Sequence, residues 1–413
     1  MVPNSAGWNR SSRGVFAGTS IAASIIHRSI RQGVLVTHPP VPNPRASRPP
    51  ICVPCRLAAI GAVVLALAGG FAYTAGWLTP TRLSAPRIID TFEANAGPHP
   101  GYRRNHAKGL CVEGYFDSNG NGAALSHATV FAPGRTPVSG RFAVPGGNPS
   151  APDTSSPVRS LALQFRLADG EEWRTGMNST PLFVVHTPAQ FYQQLQAAQP
   201  DPATGKPDPA KLRAFYAAHP ETQPFQRWVK AHAPSSSLAN AAYYGINAFL
   251  FTDAQGTTRA VRWAVVPDTP YAPMTDAQQA EKNFLAADLE QRLQQGPLHW
   301  HLILNVAQPG DPTDDATRQW PDDRQRIDAG TLVIERANSQ EDGACRDINF
   351  DPTILPAGIA PSDDPLLAAR SAAYALSFQR RTREEALHPE LHRAQANSEK
   401  NGQNNGEQKG EHS

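Results

Sequence analysis

Arg370-Ser371-Ala372-Ala373-Tyr374 sets a guanidinium about one helical turn ahead of a phenol. On a helix, positions i and i+4 share a face, so the two side chains can touch. A positive charge beside a phenol favours the phenolate, and a phenolate is a hard anionic ligand suited to ferric iron. Alone, the same spacing describes an ordinary surface pair, so the rest of the chain must decide. Far upstream, Arg103-Arg104-Asn105-His106-Ala107-Lys108-Gly109 offers a histidine with a basic residue three positions earlier. Histidine is the side chain whose proton moves near neutral pH. Asn178, within Gly176-Met177-Asn178-Ser179-Thr180-Pro181-Leu182-Phe183, carries an amide donor, although Asn-Ser-Thr-Pro also suits a turn. Arg141 opens the apolar run Arg141-Phe142-Ala143-Val144.

These residues lie among short runs rich in Val, Phe, Leu and Ile, at 110–116, 128–131, 140–144, 161–167, 181–185, 246–252, 259–265, 299–306 and 330–336. Gly, Pro, Asn and Asp separate them, which is the pattern of strands joined by turns. Helical spacing of apolar residues interrupts the series at 188–198, 211–218, 222–232, 280–293 and 366–380. So many strands predict an antiparallel barrel with helices around it, an α+β fold. The helix at 366–380 carries both Arg370 and Tyr374.

The ends differ from this middle. Residues 1–56 hold seven arginines, a cluster of prolines and no Asp or Glu, which predicts a stiff, disordered leader with no core to join. Residues 57–78 are uncharged, enough to span a bilayer as a helix or act as a signal anchor. Basic residues lie on its N-terminal side, so the positive-inside rule keeps the start of the chain in the cytoplasm and exports the remainder. In a bacterium the domain at 79–390 is then periplasmic, anchored to the inner membrane, or released if the leader is cleaved. Residues 391–413 are almost wholly polar and predict a disordered tail. The net charge of +2 over 413 residues gives no electrostatic footprint for nucleic acid.

Cys52 and Cys55 form a C-x-x-C without a strand–helix context, which weakens a redox reading. Cys111 and Cys345 can pair in an exported domain if the fold brings them together. His299-Trp300-His301 puts two imidazoles on one face of a strand, but no third ligand is evident in the sequence and a plain barrel strand is the simpler reading.

Taken in order, these stretches resemble the catalase superfamily over nearly all of the exported part. Asn105-His106-Ala107-Lys108-Gly109 resembles its distal-histidine strand, and Gly140-Arg141-Phe142 with Arg159-Ser160-Leu161-Ala162-Leu163-Gln164-Phe165 resembles the barrel that follows. Asn178 with Thr180-Pro181-Leu182-Phe183 resembles the catalytic-asparagine segment. Asp315-Ala316-Thr317-Arg318-Gln319-Trp320-Pro321, then 356–366, lead to Arg370 and Tyr374 as in that family. The similarity is strongest to the small exported catalase-related haem peroxidases. It implies haem b between barrel and helix, Tyr374 as axial ligand to the haem iron, and Arg370 holding its phenolate form. It further implies Arg103 and Arg141 on the haem propionates, Phe191 on the distal face, Phe183 lining the distal pocket, and His106 with Asn178 as the catalytic pair. The implied partners are hydrogen peroxide and a small organic electron donor, with room for a homo-oligomer, and the implied purpose is defence against peroxide.

Three positions depart from the family pattern. Ala143 stands where a serine usually supports the distal histidine, Asn105 where valine usually precedes it, and Asn247 where a histidine usually faces the proximal arginine. They predict peroxidase turnover with weak catalase activity. A non-catalytic haem carrier or sensor, and fatty-acid hydroperoxide conversion in the manner of allene oxide synthases, remain the alternatives.

Overall fold

The computed structural model describes residues 52–74 and 83–387; the leader up to residue 51, residues 75–82 and the tail from 388 onward lie outside them. The chain falls into two compact units, 1–71 and 72–413. Helix α1 (Val53–Thr74) has no buried residue and is long and apolar enough to cross a membrane.

The larger unit begins with α2 (Ala85–Ala96), followed by β1 (Lys108–Ser118), β2 (Gly134–Val144), β3 (Ser160–Arg166) and β4 (Glu172–Asn178). Three helices come next, α3 (Pro188–Ala197), α4 (Pro209–Ala218) and α5 (Gln223–Ala231). The sheet resumes with β5 (Tyr243–Tyr244), β6 (Phe249–Thr252) and β7 (Thr258–Pro267). After α6 (Asp276–Ala280) and α7 (Leu285–Gln295) come β8 (Leu298–Val306), β9 (Arg326–Ser339), β10 (Ile359–Pro361) and the long α8 (Pro365–Leu387).

Eight strands close on themselves in the order β1-β2-β3-β4-β5-β7-β8-β9, every pairing antiparallel, and β6 and β10 extend the free edge of β7. Closure removes exposed edges, and alternation along each strand fills the interior. In β8, Trp300, Leu302, Leu304 and Val306 are buried while the residues between them are not. Phe116, Phe142, Phe165, Trp173, Tyr243, Trp263 and Trp300 form an aromatic core, with Phe165 stacked on its cross-strand partner Trp173 at 4.9 Å. The β1–β9 ladder shifts register at Glu113/Gly114, where a Cβ on Gly114 would lie 1.9 Å from Val333 O.

The expected α+β barrel is therefore the observed one, with local corrections. Residues 129–131 form a 3₁₀ turn that buries Val130 and Phe131, not a strand. Residues 181–185 are loop: Pro181 offers no N–H, Thr180 Oγ1 donates to Leu182 O, and Phe183 N bonds Ala316 O across to another loop. The run 246–252 is broken, because only Phe249–Thr252 joins the ladder. The helix expected at 280–293 starts at Leu285, since Asp153 Oδ2 accepts the N–H groups of Phe284 and Leu285 at 2.8 Å each and fixes its beginning there. Strands β4, β5 and β10 and helix α2 have no counterpart in the sequence reading. In β4 only Trp173, Thr175 and Met177 face inward and the rest is polar, so no continuous apolar run marks it.

Cys111 in β1 and Cys345 after β9 form a buried disulfide, and Cys52 bonds Cys55 at the start of α1. The first bridge spans 234 residues of chain, so it withdraws much freedom from the unfolded state. Changing Cys111 and Cys345 together to serine is expected to cost about 2–5 kcal/mol of stability, read from the denaturation midpoint. An unmoved midpoint would count against the bridge as a staple.

Candidate active site

Helix α8 presents Leu366, Ala369, Arg370, Ala373, Tyr374, Ser377, Phe378 and Arg381 along one stripe at three- and four-residue spacing, and this stripe walls a cavity of about 800 Å³. The opposite contributions come from the barrel and its loops. Arg141 and Ala143 come from β2, Ser160 and Ala162 from β3, Gly176 and Asn178 from β4, and Asn105 and His106 from the segment before β1. Residues two apart on a strand share a face, which is why Gly176 and Asn178 both reach it. Helices α2 to α5 close the remainder with Ile88, Ile89, Phe92, Phe191, Tyr216, Phe225 and Val229. Phe191 lies 5.5 Å from Phe183 and 5.9 Å from Phe92, ring centre to ring centre.

All eight residues singled out in the sequence (Arg103, His106, Arg141, Asn178, Phe183, Phe191, Arg370 and Tyr374) line this one cavity. Arg370 and Tyr374 do share a face, with the guanidinium carbon 6.0 Å from the ring centre. Gly176 makes the meeting point. Arg370 Nη2 donates to its carbonyl at 3.1 Å, and a Cβ there would fall 2.8 Å from that nitrogen and 3.2 Å from the Tyr374 oxygen. Arg370 Nη1 donates to Asn247 Oδ1, and Asn247 Nδ2 donates to Asp364 at 2.7 Å. Burial raises the Asp364 carboxyl above its ordinary value.

Sequence reasoning missed Arg381. It is 2% exposed, sits seven residues after Tyr374 on the same stripe, and its Nε makes no hydrogen bond. The i, i+4, i+7, i+11 series from Arg370 through Tyr374 and Ser377 would have marked it. The cavity thus holds Arg103, Arg141, Arg370, Arg381 and Lys230, with no Asp or Glu among the described residues that line it. Arg103, Arg141 and Arg370 are held by oxygen dipoles, while Arg381 pairs at 3.5 Å with Glu385, which does not line the cavity. Arg103 Nη2 donates to the carbonyls of Cys345, Arg346 and Ile348 at 3.0, 3.3 and 3.0 Å. Arg141 Nη2 donates to Ala107 O at 3.2 Å and to Gln340, and its Nε is buried without a partner. Burial, then the Arg141 and Arg381 charges, holds Arg103 well below the ordinary guanidinium range, and burial with Arg381 brings Arg141 down to about 10.

Asn178 Oδ1 accepts from Ser160 Oγ at 2.9 Å, so its amide nitrogen is the end left to donate into the cavity. His106 Nδ1 is buried and has no hydrogen-bond partner, consistent with an alanine at position 143. Of the two imidazoles on β8, His301 is held between Asp268 at 3.1 Å and Asp328 at 2.8 Å.

A closed antiparallel barrel crossed by a helix that brings an Arg–Tyr pair to a buried cationic cavity defines a catalase-type architecture. The family model described as Catalase matches residues 73–412, and the chain belongs to the catalase family. It is 40% identical over 305 residues to the catalase-related peroxidase of Synechococcus elongatus, covering 73% of this chain and 90% of that protein. It is 32% identical over 312 residues to the catalase-related peroxidase of Mycolicibacterium paratuberculosis, covering 74% of this chain and 96% of that protein. A bacterial catalase structure shares the fold with a TM-score of 0.62 at 22% identity, over 68% of this chain and 58% of that one. Catalase A from Saccharomyces cerevisiae gives 0.62 at 20% identity, over 68% and 62%. The chain therefore spans less than two thirds of these catalases.

Burial, with Arg141, Arg370 and Arg103 adding to it, lowers the His106 pKa from 6.5 to about 3. The unfolded chain binds this proton from pH 6.5 downward and the folded protein does not until about 3, so stability falls as pH falls through that window. In the protein without added cofactor, His106→Ala should therefore narrow the loss of melting temperature between neutral pH and pH ~4.5. An unchanged pH dependence would contradict a neutral buried His106.

Proposed function

We propose that this protein is a haem-dependent peroxidase that reduces hydrogen peroxide with an organic electron donor and has weak catalase activity. One observation carries this reading. A single cavity joins four buried or half-buried arginines, and no acid among the described residues that line it, with an imidazole whose Nδ1 has no partner, a free amide donor and an Arg-flanked phenol. Buried cations demand an anionic occupant, and an iron porphyrin with two carboxylates meets that demand. The residues present fit it. Arg103, Arg141 and Arg381 would hold the propionates, where a planar fork suits a carboxylate, and Tyr374 would be the iron ligand with Arg370 supplying positive charge beside it. Phe183 and Phe191 would pack on the ring system. When bound, haem supplies the redox centre that takes up the oxidising equivalents of the peroxide.

The chain's own residues do the rest. His106, neutral through the working pH range, takes the proton from one peroxide oxygen and returns it to the other, so that water leaves. Asn178 donates an N–H to the oxygen that gains charge, and Ser160 keeps the amide turned for that task. The donor returns two electrons, and with two protons the balance is two waters per peroxide. The size of the cavity and its apolar wall from α4 and α5 give an organic donor a place to approach. The missing ring partner of His106 supports peroxidase turnover over fast dismutation.

We place the domain outside the cytoplasm, anchored by α1. The acid-free, arginine-rich residues ahead of that helix support the orientation, and the buried Cys111–Cys345 bridge accords with an oxidising compartment.

Tyr374→Phe should abolish or sharply weaken haem uptake, followed by absorbance during haem titration; parental uptake and spectrum would remove Tyr374 as the ligand. His106→Ala should keep haem but slow the reaction with peroxide by about 10²–10⁴-fold, and a parental rate would deny it the proton-carrying role.

A further inference from the structure

Among the described residues, His106 is the one non-glycine residue with positive φ, at 57°. Residues with a Cβ seldom occupy this region, so something must hold it there. The imidazole does not, because its Nδ1 is buried and unbonded. The hold is on the backbone. Asn105 Oδ1 accepts from His106 N at 2.9 Å and from Gly146 N at 2.8 Å, and Ala107 N donates to Gly146 O at 2.8 Å. One carboxamide oxygen thus ties the peptide before His106 to the turn after β2, and the bond from Ala107 closes the far side. Short polar side chains that bond nearby backbone groups are the residues that stabilise such local conformations.

We propose that Asn105 is the positioning residue of His106: its carboxamide oxygen, rather than a partner on the ring, fixes where the imidazole stands in the cavity. The inference rests on the reading of His106 as the proton carrier. It explains how a ring without a hydrogen-bonded neighbour keeps a defined place, since a displacement of about 1 Å can cost on the order of 10²-fold in rate.

The test uses the full chain with Asn105→Val, Asn105→Asp and His106→Ala. Amide hydrogen exchange at His106 and Gly146 is read before haem is added, and the rate constant with peroxide and the KM for an organic donor are read after loading. In Asn105→Val both amides should exchange roughly 5- to 10-fold faster. The peroxide rate constant should fall by about 10²-fold, with the donor KM unchanged. Asn105→Asp keeps the acceptor oxygen and should keep the slow exchange. If Asn105→Val does not fold, Asn105→Ser, whose hydroxyl falls one atom short of that oxygen, provides the same comparison. Parental exchange in the valine variant, or faster exchange with a parental peroxide rate, overturns the proposal. If His106→Ala also reacts at the parental rate, it is the proton-carrier reading that fails; if His106→Ala is slow and Asn105→Val is not, only the positioning role fails.

Discussion

Positive charge gathered around one apolar cavity is the constraint on which the rest of this structure depends. Guanidiniums taken out of water lose hydration that only charge, dipoles or a ligand can replace. Arg103, Arg141, Arg370 and Arg381 line the cavity together; the Arg141 and Arg381 charges add to burial in lowering the proton affinity of Arg103, and Arg381 does the same to Arg141, while no carboxylate among the described residues shares the cavity wall with them. Backbone and amide oxygens meet part of the demand: three carbonyls at Arg103, one carbonyl and Gln340 at Arg141, one carbonyl and Asn247 at Arg370. The buried, unbonded Nε atoms of Arg141 and Arg381 mark what is left unmet.

Holding those oxygens in place is the work of parts far from the cavity in sequence. Three carbonyls that face Arg103 belong to the segment 345–348, and Cys345 pins that segment to β1 through Cys111. Phe350, Ile348 and Tyr374 pack on the same disulfide. The bridge therefore connects the Arg103 anchor to the helix that carries the phenol. A second clamp lies outside the cavity, where Arg104 pairs with Glu93 of α2 and Glu384 of α8, the latter holding Glu384 below its ordinary value. These pairs tie α2, which contributes Ile88, Ile89 and Phe92 to the wall, to the far end of α8.

Much of this was legible in the sequence, and the exceptions have physical causes. Arg370 and Tyr374 could be named from i and i+4 spacing on a helix, and His106, Asn178 and Arg141 from short motifs beside apolar runs, whereas Arg103, Phe183 and Phe191 were named only through the resemblance to the catalase superfamily. Arg381 followed the same helical stripe but lay beyond the pair that drew attention. Barrel closure was legible only as a class, because the β7–β8 pairing that completes the ring joins runs separated by two helices, and no local pattern encodes it. Strand β4 escaped notice because its outward face is Glu172, Arg174 and Gly176, although Gly176 proves to be where Arg370 and Tyr374 converge. Cys111 and Cys345 were visible as a pair of candidates, while their contact needed the fold.

Asn247 shows how a change of residue type can preserve a connection while changing its chemistry. It accepts from Arg370 through Oδ1 and donates to Asp364 through Nδ2, so both ends of the amide are committed and its orientation is fixed by a cation on one side and a carboxylate on the other. Asp364 also accepts the Leu366 N–H at 2.9 Å and so holds the first turn of α8, the helix that carries Arg370. A neutral amide has no proton to exchange in the physiological range, unlike an imidazole. The link therefore transmits position and dipole but not protonation, and the charge beside Tyr374 is set by geometry. With Asn105 gripping the backbone at His106, both faces of the cavity are organised by carboxamides that fix neighbours in place, and in the proposed function the proton is left to His106.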